Sequence, residues 1–176
     1  IRLAALFGEL SPREAEKTAR TLRFSNQQIA WIGALIKHAA QIRDELLGAG
    51  RGDVAPATAR RWIAAAGRTR IPSVMRLVGA RIASHRAAGE AAPDATTIAA
   101  LYRRVLRSAF RDPVELGDLA VDGDDLRGVG VGEGPEMGWV LQRLLDVVLE
   151  DPHRNTVEEL LRLAAELLKR YRTGER

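Results

Sequence analysis

The sequence predicts an all-α protein, a multi-helix array of about seven to nine helices joined by short glycine-rich connections, with no significant sheet. Three observations predict it. Apolar residues recur at helical spacing in every long segment. Most of these segments open on a capping residue or a first-turn proline. No alternating run of β-branched or aromatic residues exceeds four.

The elements follow in order. Ser11-Pro12 sets a cap before a first-turn proline, and Glu14 completes a capping box for a helix to about Arg23. Ser25 and Gln28 repeat the device for a long helix to about Leu47, whose inward stripe is Ile29, Ile32, Leu35, Ile36, Ala39 and Ile42. Gly48-Ala49-Gly50-Arg51-Gly52 ends it. Pro56 opens a short helix to about Ala66, and beyond Gly67 another starts near Pro72, with Val74, Leu77, Val78 and Ile82 on one side. Ala87 to Pro93 reads as a loop. Asp94 then caps a helix bearing Ile98, Leu101, Tyr102, Val105 and Leu106. Asp112-Pro113 closes that helix, because a residue before proline is pushed away from helical angles. Val114 to Gly134 is short-patterned and glycine-rich, the territory of compact loops and small helices; Leu119-Ala120-Val121 is its only, trivial, strand candidate. Pro135 reopens a helix with Met137, Val140, Leu141, Leu144, Leu145 and Val148 inward, stopping before Asp151-Pro152. Asn155-Thr156 caps the last helix, with Glu159 in the box position and Val157, Leu160, Leu161, Ala164, Leu168 and Tyr171 on one stripe. No repeat of fixed period is present.

Composition narrows the function classes. At 176 residues the chain can bury a core as one domain or as two small ones. It has no cysteine, which excludes disulfides and thiolate zinc sites and makes a reducing, cytoplasmic compartment the expectation. No apolar run approaches the roughly 20 residues of a membrane span, so no membrane partner is expected. No signal-peptide pattern stands at the N-terminus, and Ile1 opens directly in an amphipathic stretch, as if cut from a longer parent.

The net charge of +4 conceals an asymmetry. Residues 51–110 hold eleven Arg and three acids, a balance of +8, whereas residues 111–153 hold three Arg and eleven acids, a balance of −8. Within the basic block Arg60, Arg61, Arg68, Arg70, Arg76, Arg81 and Arg86 are the candidate RNA-binding residues. Arginines on adjoining helical surfaces bind phosphates through counterion release and position RNA by shape. Trp31, Trp62 and Trp139 could stack on bases, but they stand at helical positions where core packing is the expectation, and His38, His85 and His153 are scattered surface or boundary residues.

Three phrases, in this order and spacing, resemble the second half of bacterial CCA-adding enzymes and their poly(A) polymerase relatives. The first is Leu22-Arg23-Phe24-Ser25-Asn26, ahead of the long helix with Lys37-His38. The second runs from Asp118 to Leu126 (Asp-Leu-Ala-Val-Asp-Gly-Asp-Asp-Leu) and is followed by Gly134-Pro135-Glu136-Met137-Gly138. The third is Asp151-Pro152 with Asn155-Thr156. The resemblance implies a helical RNA-binding neck and body over 1–110 and a helical tail over 111–176, with the catalytic nucleotidyltransferase head absent. Such a fragment positions the 3′ end of tRNA, its expected partner, and is inert alone. Its parent is a transferase, whose Mg²⁺ and CTP or ATP belong to the head, so no cofactor is expected here.

In the second phrase Gly130, Gly132 and Gly134 allow close backbone approach, and Pro135 starts a helix whose free N–H groups suit a phosphate; Gly134 and Gly138 are therefore candidate RNA contacts. A tight turn that only orients the helix is the alternative. Many relatives carry a phosphohydrolase His-Asp pair where Gly8-Glu9 stands here, which argues against that activity. Asp122-Gly123-Asp124 imitates a metal-binding Asp-x-Asp but lacks its sheet, and Glu133 would complete a calcium loop that lacks its glycine; no metal is expected, and helix capping explains the acids. Two rival functions are a degenerate His-Asp phosphohydrolase and a helical protein-interaction module without RNA binding.

Overall fold

The computed structural model describes residues 6–7, 10–48 and 54–174, and every long element in them is an α-helix. No strand occurs among the described residues, as the helical periodicity requires. The helices are α1 (Pro12–Thr21), α2 (Asn26–Gly48), α3 (Pro56–Ala66), α4 (Ile71–Ala87), α5 (Ala95–Arg111), α6 (Gly123–Gly128), α7 (Pro135–Glu150) and α8 (Val157–Arg172); 3-10 turns occupy Leu116–Asp118 and Pro152–Arg154. The chain divides into two compact units, Ile1–Phe110 and Arg111–Arg176.

Capping decides where the helices of the first unit begin. The Ser11 N–H donates to Glu14 Oε2 at 2.8 Å, and the Glu14 N–H donates back to Ser11 Oγ at 3.3 Å. Ser25 and Gln28 make the same exchange at α2. Asp94 accepts from the Thr97 N–H at 2.8 Å and so starts α5. Around α2 the core is then assembled. Its Leu35, Ile36, Ala39 and Ile42 are at most 1% exposed, and α1, α3 and α4 pack against it. Gly33 makes room for a side chain of α1, since a Cβ there would stand 2.4 Å from Glu16 Oε1. Trp62, buried on α3, donates its indole N–H to Glu45 Oε2 of α2 at 2.6 Å, so the large ring is buried with its one polar atom satisfied.

The second unit pairs α7 with α8, whose inner residues Val140, Leu144, Val148, Leu160 and Ala164 are fully buried, and sets α6 against α8. Trp139 and Tyr171 join the two long helices with ring centroids 5.3 Å apart, and the Arg143 guanidinium lies 5.5 Å above the indole. The cap of α8 differs in part from the sequence expectation. Thr156 caps it, accepting from the Glu159 N–H at 3.4 Å, but Glu159 turns to Arg154 and Arg162 instead of completing a box. Asn155 serves another purpose. Its Oδ1 accepts from the Ala120 N–H at 2.8 Å and its Nδ2 donates to the Asp118 carbonyl at 2.9 Å, which clips the irregular 118–120 backbone to the start of α8. Asn155→Ala removes both bonds, leaving the exposed Ala120 N–H to water and the half-buried Asp118 carbonyl without this donor. We expect it to cost about 1–3 kcal/mol, read from urea unfolding followed by circular dichroism; a loss below measurement error would show that water replaces the clip.

Acid should destabilise the protein in two stages. Glu159, held by Arg162 and Arg154, has its carboxyl lowered to about 2. Glu14, Asp94, Asp122 and Glu136 are also held below the ordinary carboxyl range, first of all by the Ser11 hydroxyl and the N–H groups of Thr97, Asp125 and Gly132 respectively. Burial, aided by Lys37 and Arg70, holds the His38 imidazole below its usual 6.5. All six groups lose protons more readily when folded. The unfolded state therefore takes up protons first, and the stability these groups supply is present above their unfolded values and lost as pH falls. The urea midpoint should begin to drop below pH 6.5 and drop further between 4.5 and 2. Glu159→Gln should make the second stage shallower, most of all at its lowest pH, and leave the first unchanged.

Candidate nucleic-acid interface

The arginines of the basic block do not form one surface, because α3 and α4 each turn more than one face toward neighbours. Arg60 stands apart from the rest of the expected set. It stands three residues before Ile63, on the inward stripe of α3, and is 7% exposed, the one buried charged side chain among the described residues. It is not without a partner. Arg70 is half-buried, and its Nη1 donates to the Ala66 carbonyl at 2.9 Å, satisfying an orphan acceptor at the end of α3. Both arginines serve the architecture.

The others divide between faces. Arg61 is exposed on α3 and Arg68 half-exposed in the α3–α4 connection, each with partners of its own. Arg81 lines a polar crevice of about 570 Å³ between α2 and α4, with Arg43, Asp44, His85 and Glu90. Arg76 and Arg86 stand exposed along another face of α4, where they flank a groove of about 550 Å³ between α4 and α5. Arg103 of α5 joins them there, and Arg107 is exposed one turn further along. Sequence reasoning misses these two. The signal is present, since both lie opposite the buried stripe Leu101, Val105 and Ala109 and four residues apart, the spacing of one helical face.

The glycine loop of the second unit already contains an anion. Gly134 has φ +84°, a conformation that favours glycine, and Pro135 begins α7 directly after it. The Gly132 N–H donates to the Glu136 carboxylate, which also meets Arg172 (Nε to Oε1, 3.3 Å); Arg172 Nη2 in turn donates to the Gly130 carbonyl at 3.0 Å. The turn is thus closed around the chain's own carboxylate. Gly134 and Gly138 are exposed beside it, with open space where a Cβ would stand. The neighbouring acids are occupied as well. Asp122 accepts from the N–H groups of Asp124 and Asp125 at 2.8 and 3.0 Å, Asp125 returns a bond to the Asp122 N–H, and Asp124 and Glu133 pair with Arg127. Capping and ion pairing account for the whole cluster. The Gly8-Glu9 position on which the phosphohydrolase argument turned lies outside the described residues.

One known protein now bears on this arrangement. Over 55 residues the chain is 46% identical to the CCA-adding enzyme of Limosilactobacillus fermentum. The matched stretch is 31% of this chain and 14% of that enzyme. No family model and no solved structure matches the sequence. The likeness supports a nucleotidyltransferase-related origin. The structure also supplies a physical role for the residues that resemble CCA-adding enzymes: Asp118 accepts from the Val114 and Glu115 N–H groups, Asp122 caps α6, and Asn155 ties the 118–120 segment to α8. The second and third phrases therefore meet in space as one folding device.

Proposed function

We propose that this chain is a tRNA-holding helical portion of a CCA-adding type of nucleotidyltransferase, with its first unit gripping the RNA backbone. The observation that carries the reading is the group of exposed arginines on α4 and α5, Arg76, Arg86 and Arg103 beside one groove and Arg107 one turn further along, with Arg61 exposed on α3, all within the block whose formal balance is +8. Guanidinium groups at such spacing contact phosphates and carry no base-reading pattern, so the fit is to the shape of a folded RNA. In this reading the chain orients the tRNA 3′ end, while transfer of nucleotides from CTP and ATP with Mg²⁺ belongs to a nucleotidyltransferase module, and the compartment is the cytoplasm.

The test is binding of fluorescently labelled tRNA followed by anisotropy over a series of KCl concentrations. The affinity is expected to be weak and to fall steeply as salt rises. Absence of binding at low salt, or binding indifferent to salt, would sink the reading.

A further inference from the structure

The groove between α4 and α5 has walls that RNA binding does not explain. Met75, Gly79, Ile82 and Ala83 form one side, and Ile98, Ala99 and Tyr102 the other. Small residues keep the floor low: an ideal Cβ on Gly79 would stand 3.6 Å from Ile98 Cγ2, in ordinary contact. The charge sits only at the rim, on Arg76, Arg86 and Arg103. Arg76 and Arg86 are ten residues apart on α4, or about 15 Å along the axis, the length of nearly three helical turns. None of the three makes an ion pair among the described residues. Asp94 lies in electrostatic reach of Arg86, but its carboxylate is held by the Thr97 N–H and hydroxyl.

We propose that this groove is a docking site for a partner protein's amphipathic helix, with its apolar face in the groove and acidic residues on the arginine rim. The argument is complementarity of both kinds. Aliphatic walls reward leucine-like side chains, which bury without leaving a polar atom unpaired. A nucleobase in the same place would bring ring donors and acceptors against carbon, at a desolvation cost that the rim guanidinium groups are placed to offset only at the edge. The rim in turn selects for acidic flanks over basic ones. The inference does not depend on tRNA binding, although an acidic helix docked here would cover Arg76 and Arg86 and so exclude RNA from them.

The probe is a fluorescein-labelled synthetic helix with leucines at i, i+4 and i+7 and glutamates on the remaining face, with a second peptide carrying lysine in place of glutamate. The 176-residue chain should bind the acidic peptide at micromolar concentration, more weakly as salt rises, and leave the basic peptide unbound. Ala83→Trp and Ala99→Trp, each at an exposed position on the groove edge, should fill it from opposite sides. Each should lower peptide affinity by about tenfold or more and leave tRNA binding and the circular dichroism spectrum unchanged. Two plugs are used so that a folding defect in one does not decide the result. No binding of the acidic peptide, or equal binding of both peptides, overturns the proposal. So does a plug that weakens tRNA as much as peptide, which would make the groove an RNA subsite. A dimer in sedimentation that the plugs dissolve would make it an interface between copies of this chain, and would overturn the proposal too.

Discussion

Reversing Arg61, Arg76 and Arg86 to glutamate is expected to weaken tRNA binding by on the order of 100-fold at low salt and to flatten its salt dependence. All three side chains are exposed, so the change acts on the surface field and leaves the core alone. An arginine that no longer meets its phosphate takes close to one counterion out of the linkage. The slope of log affinity against log salt should therefore fall by roughly 0.7 to 0.9 for each such arginine, and by about two to three in all if each of the three meets a phosphate. The slope is the informative quantity, because a variant that merely misfolds loses active protein without changing it. An unaltered affinity would move the interface elsewhere. The exposed backbone of Gly134 and Gly138 would then be the place to test, with Arg172→Ala opening the turn now closed on Glu136.

Arg60→Glu should act differently, by destabilising the first unit. The side chain is 7% exposed, and a carboxylate placed there loses its hydration and is too short to reach where the guanidinium now lies. A cost of roughly 3–5 kcal/mol is expected, a large share of the roughly 5–15 kcal/mol that holds an ordinary domain folded. The neighbouring Arg61→Glu provides the contrast, because on the exposed side of the same helix it should change stability by less than about 1 kcal/mol. Urea titration of the two variants separates the cases. If Arg60→Glu unfolds at the same urea concentration as the parent chain, the buried assignment is wrong and Arg60 rejoins the candidate RNA-contacting residues.

The helices and their ends are legible in the amino-acid order because the devices that set them are local. Ser11 with Glu14, Ser25 with Gln28, Asp94, Asp122 and Thr156 each close a hydrogen bond within three residues, so their meaning can be read without knowing what lies across the core. Helical periodicity is local in the same way. It places Leu35, Ile36, Val74, Leu144 and Leu160 inward, and all are buried.

Which arginines face solvent is not a local matter, and long-range packing decides it. Charge counting locates the basic block but cannot divide it, because whether an arginine meets solvent depends on how many neighbours its helix has. α3, crowded on more than one side, buries Arg60 and turns Arg70 back onto the Ala66 carbonyl, while α4 leaves Arg76 and Arg86 facing outward. Asn155 shows the same limit from the other side. It looks like a cap beside Thr156, yet its partners Asp118 and Ala120 lie 37 and 35 residues away. The groove between α4 and α5 is likewise a property of two separate, mainly apolar stripes, and neither stripe signals it until the helices are set side by side.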